Sequence, residues 1–272
     1  MKSISLRLRI YLVILASVLF LGIIGLMIIE GFSLLDSFYF IIVTIATVGY
    51  GDIHPVTPAG KMLVVGIILA GVGCFVGVVA NAIEYMIDMR ERTQRIEKLN
   101  MLIGVFFSEV GTKLLKKFSP KDPGIQEIRS ALLVSNNWSD EDFKTAHARL
   151  KAHSYHLDSR EFSLEELHTF FSDHKVFLLA LLENPQLFEH DRVTDLLHAV
   201  FHLAEELVSR DRLVNLPATD YSHLSVDLKR VYSQLVIEWL TYMHYQKKRY
   251  PYLFSLAMRT NPFDEHASAI VQ

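Results

Sequence analysis

"TIATVGYGD", residues Thr44–Asp52, places two glycines, a tyrosine and one carboxylate in the middle of a strongly apolar region. Before it, residues Ile10–Ile29 carry no charge; after it, neither do Met62–Ile83. A helix rises ~1.5 Å per residue, so each run covers the ~30 Å hydrocarbon layer of a bilayer with no excess. A pair of buried core helices is the competing reading, but uncharged runs of this length are uncommon in soluble domains. Between the runs, Ser33 is placed to cap a helix through "LLDSFYFIIVTIAT", which is too short to cross. Non-helical backbone at membrane depth is tolerated only where it is buried in protein or faces water. Thr44–Asp52 is therefore expected to be re-entrant and to line an aqueous path. Gly49 and Gly51 alternate with Val48 and Tyr50. Glycine adopts conformations that L-residues avoid, so successive carbonyls can all be turned to one side. One row of carbonyls cannot encircle an ion, whereas several chains around an axis can.

In this setting the residues resemble the selectivity filter of potassium channels, whose loops read TVGYG. With one span on either side, the chain is similar to the prokaryotic two-span potassium channels, above all the calcium-gated archaeal type. The resemblance covers about Ile10 to Asp88. It implies a homotetramer in which Thr47, Val48, Gly49, Tyr50 and Gly51 form the ion-binding filter. The Thr47 hydroxyl would make the innermost ring, and Val48 and Tyr50 would point away from the axis and pack against the short helix. Asp52 would stand at the outer mouth, bonded by an aromatic residue of the pore helix, here Tyr39. Val43 replaces the glutamate that some members place behind the filter, so inactivation through a carboxylate pair is not expected. Four pore-helix carboxyl ends near Ala46 would direct partial negative charge at a central cavity.

Gly66, Gly71, Gly73 and Gly77 crowd the second span. Close helix packing explains such residues in membranes; the family resemblance instead makes Gly71 the gating bend, with Gly73 as a lesser candidate. Val72, Val76 and Ala80 follow at four-residue spacing as cavity-lining candidates. Glu84 comes next, as either a cation-concentrating ring at the inner mouth or a solvated interfacial acid. Lys2, Arg7 and Arg9 precede the first span, so the positive-inside bias puts both termini in the cytoplasm of a multi-pass inner-membrane protein. The first run exceeds a signal h-region and lacks a small-x-small cleavage site before Glu30. No arginine repeat resembling a voltage sensor occurs. The only cysteine, Cys74, lies in the second span and forms no intrachain disulfide.

The expected organisation is all-α: a pore domain over 1–90, a linker helix over 91–119 and a helical cytoplasmic domain over 120–272. Within the first, the spans are 10–29 and 61–84, the pore helix 34–46 and the filter 47–51. In the linker, Ile96, Leu99, Ile103, Phe106, Val110 and Leu114 share one face, and Lys113, Lys116 and Lys117 suit a helix C-terminus or an anionic lipid surface. Later helix starts are signalled at Ser139 with Asp142, Ser163 with Glu166, Pro185 and Ser225. Eleven of the 12 histidines follow residue 90. Asp191, Asp195, His198, His202 and Glu205 form one helical stripe, opposite the apolar Val193, Leu197, Val200, Ala204 and Leu207. This stripe is either a solvated face or, through Asp195, His198 and His202, part of a regulatory divalent-metal site.

A net charge of −3 implies no nucleic-acid partner, and no catalytic motif or organic-cofactor fingerprint is present. The expected activity is passive conduction of K⁺, gated by a helical domain that answers to a cytosolic ligand or protein. A domain that serves only tetramer assembly, or a weakly selective cation pore, are the alternatives; Tyr50 argues against the latter.

Overall fold

The computed structural model describes residues 2–185, 187 and 191–270, with residues 2–5 as backbone only. Among them the regular structure is helical, without a strand. The chain divides into two compact units, residues 1–94 and 95–272.

In the first unit, α1 (Lys2–Ile29) and α3 (Pro58–Phe106, which continues into the second unit) flank the short α2 (Leu34–Ile45). Leu26, Phe40, Ile41, Ile45, Val64 and Ile67 form the seam where the three meet. Small residues let the helices close: a Cβ added at Gly22 would stand 2.9 Å from Ile41 and 3.0 Å from Ile67. Elsewhere the helices are bare. Only 11% and 17% of positions in the most apolar windows of α1 and α3 are buried. A core helix of a soluble protein would be mostly covered, so an apolar surface such as Val13, Phe20, Ile28 and Leu69 identifies a membrane protein.

In the second unit, α3 is extended by a π-turn (Phe107–Gly111) and α4 (Thr112–Phe118), followed by the short α5 (Ile125–Ile128). Then come α6 (Asp140–Ala152), α7 (Leu164–Leu182), α8 (Asp191–Val208), α9 (Ala218–Arg249) and α10 (Pro251–Arg259). The stretch expected as a linker is a core element here. Leu99, Ile103, Phe106, Val110, Leu114 and Phe118 are buried, while Ile96 stays exposed. The reason is a long partner: Phe107 stacks on Tyr242 at 5.6 Å and Phe118 meets Tyr232 edge-on at 6.2 Å, both on α9. The capping box of Ser139 and Asp142 is present, while Ser163 accepts from the Glu166 amide.

Two expected helix starts differ. Ser225 lies inside α9, where its hydroxyl donates to the Tyr221 carbonyl and accepts the Ser159 amide, so it joins a loop to the helix rather than capping it. Pro185 lies in a turn and α8 begins at Asp191; residues 186 and 188–190, where that start was expected, lie outside the described residues. The stripe Val193, Leu197, Val200, Ala204 and Leu207 is buried as its spacing requires.

Candidate functional site

The site begins with α2. Ser33 Oγ accepts the Asp36 amide at 3.1 Å and donates to its carboxylate at 2.7 Å, fixing the helix start. At the other end the chain leaves the helix without leaving its hydrogen bonds. The amides of Val48 and Gly49 both return to the Val43 carbonyl, at 3.0 and 3.3 Å. Val43 thus serves the strip through its backbone. Beyond it the backbone alternates in hand: φ is +58° at Thr47, +57° at Gly49 and +77° at Gly51, with ordinary φ at Val48 and Tyr50 between them. The two glycines meet this at no steric cost. Thr47 does not, because a β-branched residue at positive φ is strained.

Tyr39 Oη donates to Asp52 Oδ2 at 3.0 Å, so the pore helix braces the far end of the strip. Ala46 to Asp52 are all exposed on the single chain, including Val48 at 52% and Tyr50 at 72%. Those two side chains were expected against the short helix; within one chain both stay more than half exposed.

On α3, Gly71 is a point of close approach: a Cβ there would lie 2.7 Å from Ile45 Cδ1 and 3.5 Å from Val18. The helix runs unbroken through it. Gly73 and Gly66 face open space, and Gly77 lies against the Tyr11 ring. Val72 is half-buried, whereas Val76, Ala80 and Glu84 form an exposed stripe.

One part of the site has no counterpart in the sequence reading. The Glu30 carboxylate accepts the amides of Val56 and Thr57, at 3.1 and 3.0 Å, and the Thr57 hydroxyl at 2.5 Å. Thr57 Oγ1 in turn accepts the Gly60 amide at 3.0 Å, capping α3. The hydrogen bond from Thr57 holds the Glu30 carboxyl below its usual range. A glutamate and a threonine 27 residues apart give no local signal, and only the return of the chain brings them together.

In the second unit Asp195, His198 and His202, expected as a metal set, do not converge among the described residues. Asp195 and His198 are exposed on α8 and join no ligand group among the described residues, whereas His202 meets His223 and Asp227 of α9. Of the stripe expected on α8, His202 is the residue that meets α9 in this group. A separate cavity of about 610 Å³ is lined by Gly104, Phe107, Tyr242, Tyr245 and Tyr252.

Comparison with known proteins divides the chain in the same way. Residues 13–88 match the family described as ion channel, and residues 95–259 match the family described as "Uncharacterized protein MJ1433, C-terminal helical domain". The Methanocaldococcus jannaschii protein MJ1433 is 43% identical over 202 residues, 74% of this chain and 81% of that one. Potassium channel protein 1 of the same organism is 40% identical over 83 residues, 28% of this chain and 25% of its own. Voltage-gated potassium channel Kch of Escherichia coli is 43% identical over 51 residues, 17% of this chain and 12% of its own. The chain therefore spans a quarter or less of either named channel. No solved structure matches it.

Proposed function

The chain belongs to the family of the M. jannaschii protein MJ1433, with an N-terminal unit of the pore-loop potassium-channel type, and from that premise we propose that it conducts K⁺ passively as a homotetramer. The observation that carries this reading is the alternating backbone of Thr47–Gly51, braced between the Val43 carbonyl and Asp52. Alternation of hand turns successive peptide planes the same way, so the carbonyls of Thr47 to Tyr50 can stand in one file. Four files around an axis replace the hydration shell of a potassium ion. The uncovered Val48 and Tyr50 side chains then find their cover on neighbouring copies. The carboxyl ends of four α2 helices stabilise the ion before it enters.

In this reading α1 and α3 span the inner membrane with both termini in the cytoplasm, and the stripe Val76, Ala80 and Glu84 lines the inner vestibule. The second unit is then cytoplasmic and biases the gate. Such coupling requires its ligand or partner to favour one state of the gate. A second reading, in which this unit only assembles the tetramer, is supported by its independent core.

Reversal potential in a K⁺/Na⁺ gradient across a bilayer tests the pore. A value near the potassium equilibrium potential is expected; equal passage of Na⁺, or a monomer in lipid, overturns the proposal. Removing residues 95–272 separates the two roles of the second unit. Tetramers that persist but lose regulation favour a sensor, and loss of tetramers favours assembly.

A further inference from the structure

The geometry points to a binding site for a divalent transition-metal ion of the zinc class, formed by His202 of α8 with His223 and Asp227 of α9 and bordered by Glu206 of α8. On each helix two of these four residues stand four apart, which a helix stacks on one face. The helices run antiparallel at this point, so that His202 lies opposite Asp227, and Glu206 opposite His223. His223 Nε2 stands 3.4 Å from Asp227 Oδ2 and 3.5 Å from Glu206 Oε2. His202 Nε2 stands 3.5 Å from Asp227 Oδ2 and 3.9 Å from Glu206 Oε1. These separations exceed direct hydrogen bonds, which run to about 3.2 Å. The two from Asp227 Oδ2, 3.4 and 3.5 Å, are close to the ~3.3 Å edge of a tetrahedron whose metal bonds are ~2.0–2.1 Å. The donor atoms of His202, His223 and Asp227 all lie within 4.8 Å of one another, as a shared ion requires.

A second observation is independent of that spacing. Asp227 is only 2% exposed, and its Oδ2 has no hydrogen-bond partner. Its other oxygen accepts from Arg230 Nη1 at 2.7 Å, which fixes the carboxylate plane and leaves Oδ2 aimed between the two imidazoles. A buried carboxylate oxygen without a donor is costly, and a cation removes that cost. Glu206 differs, because Arg210 donates at 2.8 Å to Oε2, the oxygen nearest His223, while its other nitrogens hold Asp220. The Asp227 carboxylate is thus the one oriented by an outer partner with its inner oxygen left open, as ligands in metal sites usually are.

The donor chemistry selects the ion. Two imidazole nitrogens with one or two carboxylate oxygens suit zinc and its neighbours, while calcium and magnesium require shells made of oxygen. Both histidines are about half exposed, which leaves a path from solvent. An ion held there would tie α8 to α9, two helices that supply much of this unit's core.

The test uses the full chain in detergent, stripped with a chelator and titrated with zinc under equilibrium dialysis. One zinc per chain is expected. His202→Ala and His223→Ala should each weaken binding at least about 10- to 100-fold, and Asp227→Asn by about 10-fold. His198→Ala and Asp195→Asn, on the exposed stripe of α8, should leave it unchanged. Cobalt in place of zinc should give the visible absorption of tetrahedral coordination, and zinc should raise the thermal midpoint of the native chain but not of the folded His202→Ala variant. Zinc well below one per chain, or equal affinity in a folded His202→Ala/His223→Ala variant, overturns the site. A cluster of ion pairs around Asp227 that holds no metal would give the first of those results.

Discussion

Thr47 holds a backbone conformation that costs a β-branched residue on the order of 1–3 kcal/mol, and it does so where the chain turns out of α2. The strip is held by its ends: the Val43 carbonyl at one, and the Tyr39–Asp52 bond at the other. Removing the Tyr39–Asp52 bond frees one end of the strip, so in the proposed channel Tyr39→Phe should shorten single-channel openings and leave conductance unchanged. Glu30 offers a pH signature. Its carboxyl is depressed in the folded state by the Thr57 hydrogen bond, so its contribution is present above the ordinary carboxylate range and lost as pH falls through the folded value. Thermal midpoints measured at pH 7 and at about pH 4 should differ less in Glu30→Gln than in the native chain. Of these contacts, Tyr39 with Asp52 was legible in the sequence, because a known filter supplied the register. Glu30 with Thr57 was not, since it depends on where two helix ends meet.

At the scale of elements, α3 decides most. Its glycines were legible as helix-packing or bending positions, but sequence spacing could not distinguish one from the other. Packing separates them: Gly71 and Gly77 are covered, whereas Gly66 and Gly73 are open on a single chain. A methyl group at Gly71 meets Ile45, the last residue of α2, and overpacking of this kind costs about 1–3 kcal/mol. Gly71→Ala should lower the thermal midpoint of the assembled protein, and Ile45→Val in the same chain should recover part of the loss. A residue that matters only as a bend would show no such rescue. The same limit on sequence reading appears at Ser225, whose side chain has the chemistry of a cap but spends it on a loop 66 residues away. It appears again in α8, where a polar stripe disclosed His202 of the proposed site, whereas His223 and Asp227 are brought to it by pairing with α9.

Over the whole molecule, the helical class was legible from composition, since apolar runs and charged amphipathic helices follow different solvents. The extent of the second unit was less so. Its core includes residues from Leu99 onward, so the helix that looked like a connector is part of what it connects. A fragment of residues 95–272 should therefore fold alone, with a helical circular dichroism spectrum and a single cooperative thermal transition. Starting it at 120 should abolish that transition, because Phe106, Val110, Leu114 and Phe118 would be missing from the core.

The bareness of Ala46–Asp52 on an isolated polypeptide also has a genetic meaning. A conduit that no single copy completes is vulnerable to its weakest member. In the homotetramer proposed above, a cell making equal amounts of sound and damaged copies would assemble wholly sound rings in roughly one case in sixteen. Lesions in this strip should therefore behave as dominant, while lesions that merely prevent a copy from folding should be recessive.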